Sequence, residues 1–222
     1  VTVGRYFREG LPVEASVTWF PTLAAIHWYH NHPADVDLET FAYQAKEFAA
    51  TDYLAALYRG ESLCGKERDD IVARISYFTG MSRDYLEKLA LRIDPVTFRQ
   101  EVIKHKNRCV SRNDGRLTRL RHIPEIVEEK DGAWDDAIDD QYMGFFQAAL
   151  LGDIHPHLNI DLDRQYVALV RFGKKWDFDE SKGTTAQLLH QAMTRTLGLR
   201  VFFANGWLDG STEVGHVFYT VD

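Results

Sequence analysis

LRVFFANGWLDGST, residues 199–212, decides how this chain is read. Five of the six residues 199–204 are apolar, β-branched and aromatic types among them, and Gly198 and Gly206 bound the run. That pattern predicts a strand of a parallel sheet covered on both faces. Asp209 then falls just beyond the strand's carboxyl end, where sheets of this kind place catalytic and binding groups. Taken by itself, the stretch also fits an aspartate that caps the next helix or closes a turn.

Working backwards, Thr185 is expected to cap a helix bearing Leu188, Leu189, Ala192 and Met193, which Gly198 breaks. Residues 213–219 look helical. The succession of helix, Gly, strand, Asp loop and helix from 185 to 221 forms an α/β unit. The earlier chain is different in character. Pro21 suits the first turn of a helix over 19–30. From Asp37, the spacing of Leu38, Phe41, Ala45, Phe48, Ala49, Leu54 and Leu57 marks one long amphipathic helix ending at Gly60. Further helices carry Ile71, Ile75 and Phe78 up to Gly80, Tyr85 to Leu89 after a Ser82 cap, and Phe98 to Ile103 after Asp94-Pro95.

Residues 107–140 are polar, Gly-containing and charged without a periodic face, which predicts a long loop, functional or mobile. A helix with Tyr142, Phe145, Phe146, Ala149 and Leu150 follows and stops at Gly152, and residues 166–170 suit either a strand or a short helix. The fold class expected is α/β: a partial α/β-hydrolase core interrupted by a mostly helical cap. Residues 1–34 would lead from the core into the cap, 35–152 would form the cap, and 153–222 would return to the core.

With 222 residues, 45% of them hydrophobic, the chain can bury a substantial core. Its net charge of −7 gives no electrostatic support to a nucleic-acid partner or an anionic membrane. No apolar run is long enough to span a bilayer. Cys64 and Cys109 make neither a disulfide framework nor a thiolate cluster. No internal repeat or heptad seam is present.

Three motifs invite chemical readings. Gly60-Glu61-Ser62-Leu63-Cys64-Gly65 approaches the Gly-x-Ser-x-Gly nucleophile elbow, but Cys64 replaces the second Gly and a helix precedes the serine where an elbow needs a strand. An inter-helix turn is therefore expected. His27, His30 and His32 cluster beside Trp28 and Tyr29, and His155 and His157 flank Pro156. The three-residue spacing of His27 and His30 is compatible with metal ligation. No Cys or carboxylate nearby completes a site, so aromatic packing is the expected role and a zinc site the alternative. His216, seven residues after Asp209, falls two turns inside its own helix and away from the loop. The charged run Lys66-Glu67-Arg68-Asp69-Asp70 reads as a solvated helix face.

An ordered set of stretches resembles the serine carboxypeptidases, especially the bacterial members of that α/β-hydrolase family. They are Phe20-Pro21-Thr22-Leu23-Ala24-Ala25 with Trp28-Tyr29-His30, Tyr77-Phe78-Thr79-Gly80-Met81-Ser82 with Tyr85-Leu86, Leu91-Arg92-Ile93-Asp94-Pro95, Lys175-Trp176-Asp177, Ala192-Met193, and Gly206-Trp207-Leu208-Asp209-Gly210-Ser211-Thr212. The resemblance implies a hydrolase that removes C-terminal residues from peptides through a Ser, Asp and His triad, without a cofactor. Asp209 would be the triad acid, accepting a hydrogen bond from the imidazole. The implied positions of the nucleophile and the histidine lie before residue 20 and beyond residue 222. The chain is thus expected to be an internal piece of a longer protein and inactive alone. The resemblance also implies an exported parent, and a partial core predicts self-association through exposed apolar surface. A different class of reading, a non-catalytic helical interaction domain, predicts that residues 199–204 pack as a helix or a loose edge and that Asp209 lies on the surface beside nothing in particular.

Overall fold

The computed structural model describes residues 13–121, 137–161 and 185–221. They divide into two compact units, Val1–Asp140 with Asn205–Asp222, and Gln141–Ala204.

The first unit is built around one helix, α1 (Val13–Asn31), whose residues from Phe20 to His27 are all buried. A helix that is apolar on every side must be enclosed. Around it lie α2 (Leu38–Phe48), α3 (Leu54–Arg59), α4 (Gly65–Thr79), α6 (Pro95–Glu101) and α10 (Val214–Val221). α5 (Arg83–Lys88) packs on α4. α1 starts six residues earlier than the expected helix, which puts Pro21 inside it rather than in its first turn. Proline there removes the bond that residue 21 would make to Val17. The packing of Phe20 offsets that loss: its ring lies 5.5 Å from Phe48, 4.9 Å from Tyr53 and 6.0 Å from Phe78. Tyr53 donates its buried hydroxyl to Leu91 O at 2.7 Å.

Local signals in the sequence set several helix boundaries. Asp37, Ser82 and Asp94 each accept a hydrogen bond from the backbone N–H three residues on, at 2.8, 3.3 and 2.9 Å. Gly80 ends α4 in the left-handed conformation, at φ +71°. The long helix from Asp37 to Gly60 is present as α2 and α3, joined through a π-type turn over Ala49–Tyr53.

The α/β expectation is overturned. Among the described residues the one sheet is a two-stranded antiparallel hairpin, β1 (Arg108–Val110) with β2 (Thr118–Leu120), and the rest is predominantly helical. This is not an α/β-hydrolase core. Residues 199–204 form no strand. Phe202 is 91% exposed and Phe203 47%. A strand exists only through the ladder it makes with neighbours, and no other strand lies beside this run among the described residues. The hairpin corrects a second expectation, since it falls within the stretch 107–140 expected to be a loop. Residues 166–170 lie outside the described residues.

The second unit contains most of α7 (Ala137–Ala149), a π-type turn over Leu150–Ile154, the single turn α8 (His155–His157) and α9 (Thr185–Arg195). The helix expected to stop at Gly152 continues through that turn into α8. Tyr142 and Phe146 stack with ring centroids 6.2 Å apart, while Phe145 is 74% exposed.

Candidate functional site

Asp209 sits between the irregular run and α10, and its loop is closed by its own side chain. Oδ1 accepts the backbone N–H groups of Ser211 and Thr212 at 2.8 and 2.9 Å, and Oδ2 accepts the Thr212 hydroxyl at 2.5 Å. A carboxylate offers about four acceptor positions. Three are used within the loop, which leaves room for one donor on a side chain that is itself half-buried. The side chain of Asn205 bridges the ends of the loop, donating to Gly206 O at 3.2 Å and Thr212 O at 2.9 Å.

The loop rests on two supports. Behind it, α10 crosses α1 so closely that a Cβ on Gly215 would stand 1.9 Å from Thr18 O. Thr22 on α1 accepts the N–H of Val214 at 3.3 Å, and Thr18 donates to Glu213 at 3.1 Å. Beside it runs the β1–β2 turn, residues 111–117. Gly115 N–H donates to Leu208 O at 2.7 Å, and Ser211 Oγ donates to Asn113 Oδ1 at 2.9 Å. A Cβ on Gly210 would meet Arg112 O at 2.5 Å, so the two turns touch backbone to backbone.

Between these turns opens a cleft of about 430 Å³ lined by Leu38, Asn113, Asp114, Arg116, Trp207 and Asp209, among others. Arg116 grips Asp114 through Nε and Nη2, the shortest contact being 2.6 Å, and holds that carboxyl below its ordinary pKa. Trp207 is fixed by aromatic contacts with Tyr43 at 5.1 Å and Phe218 at 5.7 Å. Lys46 stands over the Phe218 ring at 4.3 Å. The cleft thus presents an anchored indole, an ion pair and one carboxylate with acceptor capacity.

The other candidates stand apart from Asp209 or are spent elsewhere. Ser62 lies exposed on the single turn Gly60–Ser62 after α3 and donates to Arg59 O at 2.9 Å. It has no elbow geometry, as the preceding helix implied. His216 is exposed on α10, with Glu213 as its nearest charged neighbour at 3.7 Å. His27 shares Nδ1 with the side-chain amide of Asn31 at 3.0 Å, His30 Nε2 meets Gly115 O at 2.7 Å, and His32 packs edge-on to Trp28 at 4.8 Å. Among the described residues no group of three or more His, Cys, Asp or Glu side chains could hold a metal ion. His157 Nδ1 meets Asp153 O, in the π-type turn just before it, at 2.8 Å. Burial, with His105 and His30 nearby, lowers the pKa of His27 to about 4.

Sequence reasoning did not anticipate the partnership between the Asp209 loop and the hairpin turn. The available signal was composition: Asn113, Asp114 and Gly115 mark a turn, and Gly210 marks another. Pairing the two needs the tertiary structure. Lys175, Trp176 and Asp177 lie outside the described residues, and Ala192 and Met193 are exposed on α9.

Comparison with known proteins returns no match: no family model fits the chain, and no curated protein or solved structure is similar to it.

Proposed function

We propose that this chain takes part in peptide hydrolysis of the serine-carboxypeptidase type, with Asp209 as the acid that orients a catalytic histidine. The observation that carries the reading is the state of its carboxylate. Three internal hydrogen bonds fix its rotamer, and one acceptor position is left at the edge of a cleft large enough for a side chain of a peptide. That is the requirement on a triad acid, which must accept an imidazole N–H, select the tautomer and stabilise the imidazolium as the nucleophile loses its proton. The resemblance supplies the reaction class. Of its matching stretches in the first unit, residues 20–25, 77–82 and 91–95 are largely committed to core packing and caps, and 206–212 presents a free acceptor.

Among the described residues no serine is paired with a histidine as nucleophile and base, and of the triad roles only the acid is assigned, to Asp209. Without a nucleophile, a base and oxyanion donors, acyl transfer loses its main contributors. The test is release of C-terminal residues from blocked peptides by the natural gene product that carries these residues, and by the isolated chain. The reading expects hydrolysis by the former that a serine-directed fluorophosphonate abolishes, and none by the latter. Serine-dependent hydrolysis by the isolated chain, lost in Ser62→Ala, would overturn it.

A second reading, a helical interaction module, is favoured by the exposed aromatic residues Phe145 and Phe202 together with the predominantly helical fold. It expects no hydrolysis from either product.

A further inference from the structure

We propose that His30 is a positioning residue for the Asp209 loop, acting through Gly115. This rests on the assignment of Asp209 as a triad acid for its catalytic consequence, but the coupling is structural and can be tested separately.

The hairpin turn is held from both sides at one residue. His30 Nε2 lies 2.7 Å from Gly115 O, and Gly115 N–H donates to Leu208 O at 2.7 Å. One peptide group on either side of Gly115 therefore links the last turn of α1 to the residue before Asp209. A carbonyl only accepts, so the ring must carry its proton on Nε2. Burial is the main influence holding His30 below its ordinary pKa, with Lys106 adding to it and the Gly115 bond opposing it. Lys106 donates to His30 O at 2.6 Å, which ties down the backbone of the same residue.

The packing leaves little room for the turn to sit elsewhere. A Cβ on Gly115 would lie 2.6 Å from Ile26 Cγ1 on α1 and 3.0 Å from Leu208 O. Gly115 is buried between the helix and the loop, with no side chain to wedge them apart. Within the turn, Ser111 Oγ accepts the N–H groups of Asn113 and Asp114 at 3.2 and 3.3 Å, and Asn113 in turn accepts the Ser211 hydroxyl. The histidine thus sets the height of a turn whose other face sets the height of the catalytic loop. A side chain on a rigid central helix is suited to that task, because small displacements of an orienting group cost catalysis steeply.

The test compares His30→Phe, which removes the donor, with His30→Gln, whose amide can replace it, in the ¹⁵N-labelled chain. In His30→Phe, amide exchange at Gly115, Ser211 and Thr212 is expected to quicken roughly tenfold, as loss of one hydrogen bond implies. Ile75 and Phe78 in α4 should be unaffected, and His30→Gln should restore protection. Unchanged exchange at the three amides, or equal acceleration throughout α4, would overturn the coupling. The ring tautomer of the unsubstituted chain gives an independent check: the neutral imidazole must be protonated at Nε2, and a proton on Nδ1 would contradict the proposal even if His30→Phe fails to fold. In the natural gene product, His30→Phe should lower kcat with KM held. A loosened loop with unaltered hydrolysis would keep the coupling and remove the catalytic role of Asp209.

Discussion

Burial makes His27 one residue through which pH reaches the fold. Its pKa falls from 6.5 to about 4 in the folded chain, because a buried ring resists charging and His105 and His30 stand close by. The unfolded chain binds the proton more readily, so the contribution of neutral His27 is complete above pH 6.5 and is lost as pH falls toward 4. The full effect is roughly 3 kcal/mol by linkage. Urea unfolding between pH 7 and 4 is expected to show this loss, and His27→Gln should flatten the profile over that interval. At the same scale, helix starts were readable in advance: the expected cap at Ser82 is present, and Asp37 and Asp94, where helices were expected to begin, also accept from the first turn. Of the two sequence readings of Asp209, the hydrogen bonds show the turn-closing one: its oxygens accept Ser211 and Thr212, while the strand that was to carry it is absent among the described residues.

Among the elements, helices announced themselves and strands did not. The three-to-four spacing in 38–57 survives a π-type turn because the apolar stripe continues across it, with Tyr53 buried at the junction. The hairpin strands are three residues each, too short for alternation to register, and their pairing relies on a cross-strand partner such as Thr118, which accepts from Arg108 at 2.6 Å. Residues 199–204 misled for the complementary reason, since apolar composition cannot supply a neighbouring strand. Glycines at the ends of helices allow a sharp comparison. Gly60 and Gly80 both have positive φ, but a Cβ on Gly60 meets nothing within 4 Å, whereas one on Gly80 would stand 2.4 Å from His27 Nδ1. Gly60→Ala should therefore cost about 1 kcal/mol from backbone strain alone. Gly80→Ala should cost about 3 kcal/mol or more, because the displaced ring is in the core. Denaturant midpoints for the two variants check the ordering.

For the whole molecule, surface and site make separate demands. Phe145 at 74% exposure and Phe202 at 91% belong to the second unit, where apolar surface of this kind favours association. Sedimentation is expected to show concentration-dependent self-association, weakened in Phe145→Asp and Phe202→Asp. A strict monomer at all concentrations would remove that expectation without touching Asp209. The architecture itself was the least legible feature. A centre built on α1 reads from FPTLAAIH, residues 20–27, only once eight consecutive positions are known to be buried, and the contact between residues 111–116 and 206–212 spans nearly a hundred positions. The kcat of the natural gene product with Asp209→Asn tests the role of Asp209 most directly. An amide at that position keeps the loop's acceptor but cannot stabilise an imidazolium. The account predicts a fall in kcat of about 10⁴-fold with KM little changed; a kcat equal to that of the unsubstituted protein would contradict it.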